Sequence, residues 1–92
     1  MIEFVTGSAT LPPGAGAVLK DVAAKRGTAV IAVTGYGDAA SDDPAVQSAA
    51  LSLALSRAQA VANVLTSDGV PETAVRVGAE AAGRGASVRL VQ

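Results

Sequence analysis

The sequence predicts an α/β (α+β) two-layer sandwich in the order β-α-β-α-β-β, with two helices packed on a small mixed four-stranded sheet. Three observations lead there. Ala29 to Thr34 is a nearly continuous apolar run of strand length. A long Ala- and Leu-rich segment, starting between Pro44 and Ser48, repeats apolar residues at three- and four-residue steps up to Leu65. Beyond it, Ala74 to Gly78 and Ser87 to Val91 alternate apolar and polar residues.

In chain order, Ile2-Glu3-Phe4-Val5 is expected as a short first strand with Ile2 and Phe4 inward, entered directly from Met1. Thr6-Gly7-Ser8 is a turn. A helix is expected to start at Leu11-Pro12-Pro13-Gly14, because proline is tolerated where amide hydrogens lack partners. Its stripe is Ala15, Val18, Leu19, Val22 and Ala23, and Arg26-Gly27 ends it with a cation and a glycine. A right-handed crossover would make the first two strands parallel. In the long helix, Leu51, Leu55, Ala58, Ala62 and Leu65 are expected inside, with Ala54 and Val61 beside them. Ser48, Ser52, Ser56, Gln59 and Asn63 are expected outside, and Arg57 on the shoulder. Asp68-Gly69-Val70-Pro71 stops the helix. The Ala82-Gly83-Arg84-Gly85 link has a mobile composition, and Arg76, Arg84 and Glu80 read as solvated.

Composition removes several functions. The 92 residues suffice for one modest core. Half are apolar, with one Phe, one Tyr and no Trp, which argues against a large aromatic-lined pocket. Seven cations face eight anions without a basic stripe, so no nucleic-acid partner is expected. With no Cys and no His, thiol and imidazole catalysis, the usual zinc sites and disulfides are excluded. No membrane span is expected, because Ser52, Ser56, Arg57, Gln59 and Asn63 interrupt the run from Ala45 to Leu65.

The chemistry concentrates in two charges. Asp38 closes Gly35-Tyr36-Gly37-Asp38 at the end of a strand, and Arg57 is the lone cation of the helix that follows. A carboxylate and a guanidinium on successive segments make a two-point site for a small zwitterion. The plainer readings are a turn aspartate and an arginine lying along apolar surface. Asp38, Asp42 and Asp43 lack the spacing of a calcium loop. Asp42 and Asp43 before Pro44 read as a helix approach, or as added negative charge near Asp38. Gly35 to Ala40 also fits G-x-G-x-x-A, but the chain is too short for a double βαβαβ unit and Asp38 would face phosphates.

Several segments together resemble the OmpA-like peptidoglycan-binding domain (OmpA C-terminal and MotB type). Phe4 to Pro12, FVTGSATLP, is similar to its opening strand and turn. Gly35-Tyr36-Gly37-Asp38 resembles its G-H-T-D, and Leu53 to Val61, LALSRAQAV, its L-S-x-x-R-A-x-x-V helix. Gly69-Val70 and Val88-Arg89-Leu90-Val91 match later pieces. The resemblance implies non-enzymatic binding of the diaminopimelate of the peptidoglycan stem peptide through Asp38 and Arg57. Tyr36, Gly37, Asp42 and Asp43 would be neighbours, with no cofactor and no metal. It implies residues 1–92 as one periplasmic domain excised from a longer envelope protein, attached to a membrane only through other parts of that protein, with a homodimer left open. The pattern departs at Tyr36, Gly37, Ala50 and Ala54, where the family has His, Thr, often Asn, and Ser. The alternative is a degenerate domain serving as a structural or protein-interaction module.

Asp38 and Arg57 are nineteen positions apart. A helix starting at Pro44 puts Arg57 roughly 20 Å along its axis, and one starting near Ser48 about 13 Å. Convergence is therefore expected to need the later start or a loop that folds back, with the extra residues lengthening the loop.

Overall fold

The sequence of elements is helix α1 (Ala15–Lys25), strand β1 (Val30–Tyr36), helix α2 (Pro44–Ser67), a 3-10 turn (Glu72–Ala74), and strands β2 (Val75–Glu80) and β3 (Ala86–Val91). The structure is a computed structural model that describes residues 2–39 and 41–91. Met1, expected to lead into a strand, and Ala40, expected in the loop after Asp38, lie outside the described residues, as does Gln92.

The sheet has three strands in the order β2-β1-β3, not four. β1 pairs with β2 in parallel and with β3 antiparallel. The expected first strand reduces to one antiparallel bridge, Ile2 to Ala86, with Ile2 N–H donating at 2.7 Å and Ile2 C=O accepting at 2.8 Å. The reason lies in its carbonyls. Val5 accepts from the Arg57 guanidinium and from Ser8 N–H in a turn, so the segment leaves the ladder after a single bridge. The parallel pair is thus β1 with β2 across α2, and among the described residues no strand precedes α1.

Ile31 and Val33 of β1 are buried on the face that receives α2, and α1 packs against α2. They join Leu19 of α1, Val61 and Leu65 of α2, Val70 and Ile2 in one core. Each fully buried aliphatic side chain contributes about 1.5–3 kcal/mol. α1 begins at Ala15, after Gly14 in the left-handed region at φ 87°, just past the expected start at Leu11-Pro12-Pro13-Gly14. Of its stripe, Ala15 and Leu19 are buried and Val22 and Ala23 half-buried, while Val18 is exposed. α2 ends in a Schellman motif: Gly69, at φ 95°, donates to Thr66 C=O and Val70 donates to Leu65 C=O, both at 3.1 Å.

The buried face of α2 differs from the expected one. It consists of Ala50, Ala54, Arg57, Ala58, Val61 and Leu65, while Leu51 and Leu55 are each 45% exposed. The cause is the close approach of the helix backbone to β1. A Cβ at Gly35 would overlap the Ala54 carbonyl oxygen, and one at Gly37 the Ala50 carbonyl oxygen. Alanines fit against these glycines and leucines do not. Arg57 consequently sits in the middle of the buried face rather than on its shoulder.

α2 also starts at Pro44, not near Ser48. Asp43 caps it, its Oδ1 accepting from Ala45 N–H at 2.8 Å, a contact of about 1 kcal/mol. The extra residues lengthen the helix. They do not separate the two charges, because α2 runs back over β1, Ala50 against Gly37 and Ala54 against Gly35. Its first turns overhang the strand end.

Candidate functional site

Asp38 stands just past β1 with φ 62°, a left-handed conformation unusual for a residue other than glycine. Three amides in succession fix it: Gly37 N–H donates to Glu80 C=O, Asp38 N–H to Gly83 C=O, and Ala39 N–H to Ala81 C=O. The turn costs of order 1 kcal/mol and persists because both flanks are held. It directs the carboxylate toward α2.

Arg57 reaches it from one turn deeper. A helical side chain leans toward the helix N-terminus, so an arginine level with the strand interior presents its head at the strand end. The guanidinium is fully buried. Nε donates to Ser8 C=O at 2.9 Å and Nη1 to Tyr36 C=O at 2.6 Å. Nη2 donates to Val5 C=O at 3.1 Å and to Asp38 Oδ2 at 2.7 Å. The Phe4 ring covers the group, its centroid 5.2 Å from Cζ. One side chain thus ties the N-terminal turn, the end of β1 and α2 together.

Asp38 Oδ2 also accepts from Gly7 N–H at 3.4 Å, while Oδ1 accepts no hydrogen bond among the described residues. The hydrogen bond from Arg57 holds the Asp38 carboxyl below its ordinary value against the opposing pull of burial. The Gly7 amide and the charges of Arg57 and Arg84 add to the lowering. The carboxylate is therefore ionised at neutral pH with one oxygen anchored, and Asp38 lines a cavity of about 300 Å³ together with Thr6, Ala39, Gly83 and Arg84.

The other expected neighbours do different work. Tyr36 contributes its carbonyl to Arg57 and its ring to Gly83, where an added Cβ would lie 2.8 Å from Cδ1. Gly37 is buried against Ala50 and serves packing. Asp43 is the helix cap; Asp42 is exposed, and neither lines the cavity. Thr6 and Arg84 do line it and were not among the expected site residues. The pattern of a lone cation between two glycines, Gly83-Arg84-Gly85, is the signal that could have pointed to Arg84.

The OmpA family model matches residues 3–89. The chain belongs to the OmpA family. No curated protein sequence matches it. Among solved structures, the OmpA-like domain of FopA1 from Francisella tularensis subsp. tularensis SCHU S4 superposes with a TM-score of 0.76 at 13% identity, covering 99% of this chain and 73% of that one. The peptidoglycan-associated lipoprotein from Burkholderia pseudomallei gives 0.72 at 19% identity, covering 98% and 86%. At these identities the likeness is one of fold. For this OmpA-family domain it supports the path of α2 over β1, on which the meeting of Asp38 and Arg57 depends.

Proposed function

We propose that this OmpA-family domain binds bacterial peptidoglycan without chemistry, holding the diaminopimelate of the stem peptide at the Asp38–Arg57 site. It would thereby anchor a longer envelope protein to the cell wall from the periplasm. The observation that carries this reading is the Asp38 carboxylate: ionised, fixed in a strained turn beside an open cavity, with an Oδ1 that accepts no hydrogen bond among the described residues. An ammonium group placed there gains a charge-assisted hydrogen bond to an acceptor that needs no reorganisation. Family membership and the peptidoglycan-associated relative support the substrate class.

Arg57 serves the site from behind. Four of its five N–H donors are engaged and none of its surface is open, so it fixes and ionises Asp38 rather than presenting a bare guanidinium. Co-sedimentation with insoluble diaminopimelate-type peptidoglycan tests the reading. The wild-type chain is expected to pellet, and Asp38→Asn, checked by circular dichroism to be folded, to lose about tenfold or more in affinity. Equal pelleting of both proteins would refute the assignment.

A second reading, an interaction module without cell-wall affinity, draws on Leu51 and Leu55, one turn apart and both exposed on α2. It requires that neither protein pellet with peptidoglycan and that the chain associate through that face.

A further inference from the structure

β2 and β3 flank β1, so the segment joining them must cross the carboxyl end of β1, where Asp38 stands. This crossing is pinned. Gly83 C=O accepts from Asp38 N–H and Gly85 C=O from Tyr36 N–H, both at 2.9 Å. Gly83 and Gly85 take φ 95° and 71°. Neither tolerates a side chain, since a Cβ would meet the Tyr36 ring at Gly83 and overlap the Ile2 carbonyl oxygen at Gly85. The expected mobile link is a tight crook that holds Arg84 out from its apex.

Arg84 is exposed, and the ion pairs among the described residues, Lys25–Asp21 and Arg57–Asp38, do not include it. It lines the Asp38 cavity and also the adjoining one of about 330 Å³, whose other walls are Glu3, Phe4 and Gly85. Its charge acts on the Asp38 carboxyl without a direct bond. Asp38 and Arg84, of opposite charge, thus line one open space, with the buried Arg57 bonded to Asp38 from behind.

We propose that Arg84 receives the carboxylate of the bound amino acid while Asp38 Oδ1 receives its ammonium, making Arg84 the residue that selects diaminopimelate over lysine in the stem peptide. The proposal rests on the peptidoglycan reading above. Diaminopimelate ends in a carbon bearing both an ammonium and a carboxylate, whereas a lysine side chain ends in an ammonium alone. An arginine fork recognises a carboxylate in two parallel bonds, and a ligand lacking it forfeits them.

Calorimetric or NMR titration with two stem tripeptides, identical but for diaminopimelate or lysine at the third position, tests this in the wild type, Arg84→Gln and Arg84→Lys. The wild type is expected to favour the diaminopimelate peptide by about tenfold or more. Arg84→Gln should bind it about as weakly as it binds the lysine peptide, and Arg84→Lys should restore part of the preference. Arg84 is exposed, so these variants keep the fold. A preference unchanged in Arg84→Gln overturns the role of Arg84 while leaving the site at Asp38. A wild type that binds neither peptide overturns both.

Discussion

Replacing Arg57 by methionine is expected to remove about 3–5 kcal/mol of stability, the range for breaking one partner out of a buried ion pair. A chain of this length has about 5–14 kcal/mol in total, so the variant would stand near the unfolding threshold. The loss exceeds one ion pair because the guanidinium also serves the carbonyls of Val5, Ser8 and Tyr36, and Ser8 and Tyr36 are half-buried. Methionine keeps the apolar stem and loses every donor. Lysine keeps the charge but offers three donors from one nitrogen to acceptors arrayed around a planar fork, so Arg57→Lys should recover only part. The exposed Lys25–Asp21 pair, at 3.0 Å with both side chains more than half open to solvent, supplies the contrast: breaking it should cost about 0–1 kcal/mol. Urea midpoints of the three variants give the ranking. The same bond makes stability acid-sensitive. Because the folded Asp38 carboxyl lies below its ordinary value of 3.8, its contribution is complete above that pH and fades as pH falls through the lowered folded value. Asp38→Asn should remove that part of the acid dependence.

Alanine at Gly35 or Gly37 is expected to cost about 3 kcal/mol or more, the upper end for overpacking. Here the obstruction is backbone. The new Cβ would overlap the carbonyl oxygen of Ala54 or Ala50, and no rotamer relieves that, so α2 must lift from β1. Lifting α2 also draws Arg57 from Asp38, so ligand affinity should fall with stability. Gly78→Ala is the control. It lies on β2, where a Cβ would find only ordinary contacts at 3.8 Å and beyond, and its thermal midpoint should move little. Equal shifts for the three variants would show that the close approach is not what positions the helix.

These two results mark where the sequence was legible. β1 and α2 announce themselves by apolar runs and periodicity, and Asp38 and Arg57 by their charge and place. What periodicity could not show was the rotation of α2. Ranking residues by hydrophobicity put Leu51 and Leu55 inside, whereas Gly35 and Gly37 demand alanines opposite them and leave the leucines in solvent. The reach of Arg57 is hidden for a related reason: distance along a helix says nothing until its path over the strand is known. The first strand failed because alternation in Ile2–Val5 does not reveal that the Val5 carbonyl is claimed by an arginine fifty-two positions away. Gly83 and Gly85 looked like flexibility; the strand order turns them into a rigid crossing.

A free amino-acid zwitterion is expected to dock at the Asp38 carboxylate. Amide and arginine side-chain NMR spectra of the labelled protein, recorded while meso-diaminopimelate is added to millimolar concentration, test it most directly. The predicted result is a saturable shift confined to Thr6, Asp38, Ala39, Gly83 and Arg84, with the Arg57 Nε–H resonance still hydrogen-bonded. Spectra that stay unchanged, or that move only around Leu51 and Leu55, would contradict it.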